Sequence, residues 1–174
     1  MSRFSTQRGV TLIELVVYIA LFTLIIGGAV VAAYQIFESS GRSQTHAMVQ
    51  EEGDFLLAKI NWTLSGVQTI TAPALPSAGQ ACSTSNTLSV TKWDAGIGTI
   101  VIDQSGSDMR LARGGNPVSV LNNSNVTITN LMFKYCYLGG NNPASIATSF
   151  TLQSRSTNGL PITQDFFMTT YLRK

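Results

Sequence analysis

Charge is what this sequence has least of. Lysine and arginine number 11 and aspartate and glutamate 9, so that charged residues make up 11% of the 174, against about a quarter in average soluble domains. The net charge is +2, and the basic residues from Arg42 to Lys174 are scattered along the chain, with no stripe of the kind that tracks a phosphate backbone. Direct binding of nucleic acid is therefore not expected. Histidine occurs once, at His46, and cysteine twice; no second ligand is spaced near His46, which discounts a metal centre. Nucleophile elbows, phosphate loops and paired His and acid residues are absent as well. "DQSGSD", Asp103 to Asp108, alternates oxygen side chains around a glycine but is too short for a calcium loop and lacks its bidentate Glu, so it reads as a polar hairpin turn. No catalysis and no cofactor are expected. Plentiful Ser, Thr, Asn and Gly suit a surface facing the outside of a cell.

The chain does have a long apolar run. Leu15 to Phe37 carries no charge, and a hydrocarbon core about 30 Å thick needs about 20 helical residues to cross. Arg3 and Arg8 precede it without an acid, which keeps that flank in the cytoplasm and exports the chain beyond residue 38. Three readings compete. A conventional signal would be cut after "VAA", 31–33, before Tyr34; an uncleaved anchor would keep everything; a short leader would end at Gly9 and leave the apolar helix in the product.

Glu14 separates them. "TLIE" places Thr11 at an N-cap and Glu14 at N3, the spacing of a capping box. The competing account is intermolecular: an ionised acid in the bilayer costs about 2.5–3.5 kcal/mol on insertion scales, which gives it a strong attraction to a cation in the membrane.

"RGVTLIELVVYIAL" closely resembles the class III signal of type IV pilins and pseudopilins: a basic leader ending in Gly, an apolar first residue, then "TLIEL" and a long apolar helix. The resemblance covers residues 8 to 37. It implies that a membrane peptidase recognises Gly9, beside Arg8, cuts between Gly9 and Val10, and methylates the new amine of Val10, where Phe is commonest in the family. It also implies that Glu14, within Thr11, Leu12, Ile13 and Leu15, is the single buried acid that pairs with the N-terminal amine of a neighbouring subunit. Implied partners are the prepilin peptidase, other pilin subunits, and a membrane assembly platform with its ATPase. Gly27 and Gly28 stand mid-span, where close helix packing competes with a soft point in the helix. No Pro stands near them, which leans the resemblance toward minor members. Leu131, Phe133 and Tyr135 match an "L-x-F-x-Y" segment of J-type and W-type minor subunits, and the presence of Glu14 argues against the K-type tip.

The helix continues from Glu38 to Gly66. Val49, Gly53, Leu56, Ile60 and Leu64 share one face suited to packing on a sheet. Met48, Phe55 and Trp62 form a second stripe, expected to join the core, with contact to neighbouring subunits as the alternative. From Val10 to Gly66 such a helix would be about 85 Å long, too long to be buried by this domain alone. "TITAPALPSAGQAC" reads as a loop. Beyond it six short segments, "NTLSVTKW", "IGTIVID", "DMRLAR", "NVTITNLMFKYCYL", "TSFTLQSR" and "DFFMTTYLR", predict an antiparallel sheet. Burial parity switches between Ile128 and Leu131, which calls for a bulge near Asn130, and "STNGLP" reads as the last turn. Cys82 and Cys136 are best read as a disulfide in an exported domain, closing about 55 residues for about 4 kcal/mol in the loop-entropy treatment. The alternative is a buried free Cys136.

The expected architecture is α+β: a leader at 1–9, a membrane and assembly half of the helix at 10–37, an amphipathic half at 38–66, and a β-rich head at 67–174. The expected function is a minor pilin or pseudopilin, a single-pass inner-membrane subunit with an exported head that enters a periplasmic or extracellular filament of a pilus or type II secretion-like machine. The rivals are a major pilin building the shaft, and a secreted adhesion domain released near Ala33.

Overall fold

The computed structural model describes residues 11–77, 80–94, 96–114, 116–137, 143–155 and 161–172. The chain forms two compact units, Met1–Gln44 and Thr45–Lys174. One helix, α1 (Leu12–Leu64), contributes to both.

In the first unit α1 is exposed along its length and uncharged from Leu15 to Phe37, and it contains a window apolar enough to cross a membrane. The hydroxyl of Thr23 is satisfied locally: Oγ1 donates to the carbonyls of Ile19 and Ala20 at 3.0 and 2.9 Å, as such side chains do where water is scarce. Nothing lies within 4 Å of a Cβ built on Gly27 or Gly28.

In the second unit α1 buries Val49, Gly53, Leu56, Ile60, Thr63 and Leu64, the inward stripe read from the sequence plus Thr63. The second stripe departs from expectation. Met48 is partly buried against the core, but Phe55 is 51% and Trp62 38% exposed, because the helix meets the β-structure along a band too narrow to include them. The helix stops at Gly66, whose φ of +65° is the left-handed conformation that ends helices at low cost. No basic residue occupies the last turn; Lys92 supplies the cation from elsewhere, donating to the Trp62 carbonyl at 2.7 Å while lying 4.1 Å from the Trp62 ring centroid.

The β-residues build two antiparallel sheets, where a single sheet was expected. The first holds β1 (Val67–Ala72), β3 (Leu88–Lys92), β4 (Thr99–Ser105), β5 (Asp108–Arg113) and β6 (Ser119–Val120) in the order β1-β3-β4-β5-β6. The second holds β2 (Cys82–Ser85), β7 (Val126–Cys136), β8 (Ser145–Ser154) and β9 (Thr163–Tyr171) in the order β2-β7-β8-β9. Each has an apolar set to bury: Leu88, Val90, Ile100, Ile102 and Met109 from the first, Ile128, Phe133, Ile146, Phe150 and Leu152 from the second. All belong to one core with the inner face of α1. β1, β2 and β6 were not anticipated. β1 runs from Val67 into the stretch "TITAPALPSAGQAC" that reads as loop, β2 begins at the last residue of that stretch, Cys82, and β6 is two residues long.

Asp103 to Asp108 is a hairpin turn, with Ser105 opposite Asp108 and Gly106 at φ +61°, the sign required at the first central position of a type II′ turn. The bulge falls where the parity demanded it. Thr129 pairs with Thr151 and Met132 with Ser149, so one extra residue is accommodated, and Asn130 adopts φ +55°. Gln104 of β4 holds this bulge, accepting from Leu131 N at 3.2 Å and donating to the carbonyls of Ile128 and Gly106 at 3.0 and 2.9 Å. It thereby ties the first sheet to the second. The "STNGLP" turn falls at 156–161 and, apart from residue 161, lies outside the described residues. Cys82 and Cys136 are direct partners in the β2–β7 register and are joined by a disulfide, which staples the long connection after β1 to the end of β7.

Candidate processing and assembly site

The N-terminal site is built on the first turns of α1. Thr11 precedes the first helical residue, Leu12, which makes Thr11 the N-cap and Glu14 the N3 residue. The first intrahelical bond runs from Leu15 N to the Thr11 carbonyl at 3.2 Å. A carboxylate here lies at the positive end of the helix dipole, a favourable place for an anion. Leu12, Ile13 and Leu15 around it are exposed, so the acid is set in an apolar surface.

The carboxylate has a partner that sequence reasoning missed. Tyr18, one turn on, donates its hydroxyl to Glu14 Oε1 at 3.1 Å. The signal was available in the i, i+4 spacing, which brings two side chains to the same face. A carboxylate has about four lone-pair sites, so one bond from Tyr18 leaves capacity for a cationic donor. Arg8, Gly9 and Val10 lie outside the described residues.

Among the described residues no group of three His, Cys, Asp or Glu side chains could hold a metal ion, and His46 is exposed on α1. Ionised side chains of the head also join elements. Arg110 and Asp103 pair across β4 and β5 at 2.8 Å, and Glu52 of α1 accepts both the backbone and side-chain N–H of Asn123, each at 2.8 Å.

Residues 4–30 match the prokaryotic N-terminal methylation motif. The chain thus carries the class III signal, consistent with the type IV pilins and pseudopilins. That signal, running into a long apolar N-terminal helix, fits a membrane-anchored subunit that is processed by a prepilin peptidase and assembles with other pilin subunits. No curated protein and no solved structure matches the chain significantly.

Proposed function

We propose that this chain is a minor pilin or pseudopilin, a structural subunit rather than an enzyme, which helps initiate or cap a type IV pilus or type II secretion-like filament. Cleavage between Gly9 and Val10 creates an amine four residues before Glu14. In the assembled filament Glu14 of one subunit pairs with the Val10 amine of its neighbour, a match that sets the axial register because each charge is costly in lipid without the other. The observation that carries the reading is Glu14 itself, a carboxylate held by Tyr18 among the exposed apolar residues at the start of α1 and within the methylation motif. The absence of a Pro near Gly27 and Gly28 supports a minor member over a shaft subunit.

The test compares wild type, Glu14→Gln and Glu14→Ala in the native membrane. If the carboxylate only capped its own helix, Gln would serve, since a capping box accepts it at N3. Under intermolecular pairing Glu14→Gln leaves a cation without its partner in a low-dielectric setting, a loss of several kcal/mol. Crosslinking to other pilins and filament number should then collapse in both variants, while cleavage and membrane insertion persist. Unchanged crosslinking in the Gln variant removes the pairing mechanism. A mature N-terminus at Tyr34 rather than at methylated Val10 would replace the whole reading with a secreted domain.

A further inference from the structure

One end of the head carries a groove of about 760 Å³ between the close of α1, β1, the residue after β3, and the ends of β7 and β9. That volume is in the range of small-molecule sites. Its floor is apolar, with Leu64, Ile70 and the buried Tyr135. Two flat rings stand at its mouth: Trp93, 73% exposed, and Tyr171, 67% exposed. Trp93 is positioned by its backbone N–H, which donates to the Gly66 carbonyl at 3.2 Å, so the indole is tied to the turn that ends the helix.

The polar groups that the described residues bring to the wall are neutral. Asn61 and Gln68 bring carboxamides, and Ser65 and Thr170 bring hydroxyls; the Thr170 hydroxyl lies 3.5 Å from Asn61 Oδ1. Among the described lining residues none is Asp, Glu, Lys or Arg. Among the described lining residues a phosphate, sulfate or carboxylate finds no cation to pair with, and a cationic ligand no carboxylate. A purely apolar occupant fits poorly too, because covering two carboxamides and two hydroxyls without bonding them carries a desolvation cost.

We propose that this groove binds a neutral saccharide. Carboxamides and hydroxyls each combine donor and acceptor capacity, as does every alcohol group of a sugar, so the wall matches a hydroxyl-lined edge without requiring a charge. The Trp93 and Tyr171 rings offer faces for the C–H surface of a pyranose, and the apolar floor takes a hydroxymethyl or N-acetyl methyl group. A short oligosaccharide is a ligand of the size such a volume accommodates. Nothing in the site depends on the filament reading; a secreted head would carry the same groove.

The experiment uses the full chain in lauryldimethylamine oxide micelles, which contain no sugar. Chitotriose, cellotriose, maltotriose and lacto-N-tetraose are titrated by ligand-observed saturation-transfer NMR and by tryptophan fluorescence. A capped, uncharged apolar hexapeptide and a sialylated trisaccharide serve as the contrasting probes. At least one neutral sugar should bind, with saturation strongest on its ring C–H protons. Trp93→Ala should weaken it about tenfold, the scale of one aromatic contact, and Gln68→Ala should weaken it as well. Both side chains are surface groups, so the fold survives their loss, which the melting temperature verifies. Phe167→Ala, exposed on β9 away from the groove, should leave affinity unchanged. The proposal is overturned if no neutral sugar binds, if binding is indifferent to Trp93→Ala and Gln68→Ala, or if the hexapeptide or the sialylated sugar binds in preference.

Discussion

Gly53 on the inner face of α1 lies against the ring of Phe166 on β9 so closely that a Cβ at position 53 would overlap the ring. Phe166 cannot swing aside freely, because it is stacked on Phe150 with centroids 5.4 Å apart and is itself buried. A glycine that costs the helix up to about 1 kcal/mol is thus what lets α1 approach the second sheet.

Gly53→Ala should therefore destabilise the head, although alanine is the better helix former. Overpacking a filled core costs about 1–3 kcal/mol, more than the propensity gained. Thermal melting monitored by near-ultraviolet circular dichroism checks this. Combining Gly53→Ala with Phe166→Leu should recover part of the loss, and strict additivity of the two changes would show that the contact does not limit the approach.

Breaking the Cys82–Cys136 bridge should cost about 4 kcal/mol in the loop-entropy treatment. Intact mass should rise by about 2 Da on reduction, since each sulfur gains one hydrogen, and the melting temperature should fall. Cys82→Ser with Cys136→Ser should reproduce the reduced form. Two alkylatable thiols in the unreduced protein would contradict the bridge.

Thr148 is 1% exposed on β8, and its hydroxyl is the buried side-chain polar atom without a hydrogen-bond partner among the described residues. An unmade bond of this kind costs about 1–3 kcal/mol. Thr148→Val keeps the shape and removes the hydroxyl, so chemical denaturation should show a gain of about 1 kcal/mol or more. A loss would mean that the hydroxyl is bonded.

At alkaline pH two buried groups act in opposite senses. Burial, helped by neighbouring Tyr137, raises the Tyr135 pKa above its ordinary 10.0. Above that pH the unfolded chain loses the proton first, so stability falls as pH rises toward the folded value. Burial, with Arg113 nearby, lowers the Lys92 pKa below 10.5. Here the folded chain loses the proton first, so stability rises with pH between the folded value and 10.5. Tyr135→Phe should remove the decline and Lys92→Met the rise, each read as a change of slope in denaturation free energy between about pH 8 and 11. Parallel profiles for wild type and both variants would show that neither group is linked to folding.

Local signals in the sequence determined a great deal by themselves. The apolar run after Arg8 and Gly9, with Glu14 inside it, specified the processing signal. The 3.6-residue spacing of Val49, Gly53, Leu56, Ile60 and Leu64 specified the buried face of α1, and the parity switch between Ile128 and Leu131 located the bulge. These are legible because each is a pattern of neighbours on one element. What only the tertiary structure decided involves groups distant in sequence. Gln104 meeting the bulge at Leu131, Lys92 closing the helix at Trp62, the split of the strands into two sheets, and the groove shared by Asn61, Trp93 and Tyr171 all depend on which strand lies beside which. Periodicity does not encode that pairing, because alternating apolar residues satisfy any partner that buries the same face. Phe55 and Trp62 show the same limit: their spacing is helical, but their exposure was set by how narrow a band of α1 the sheets could cover.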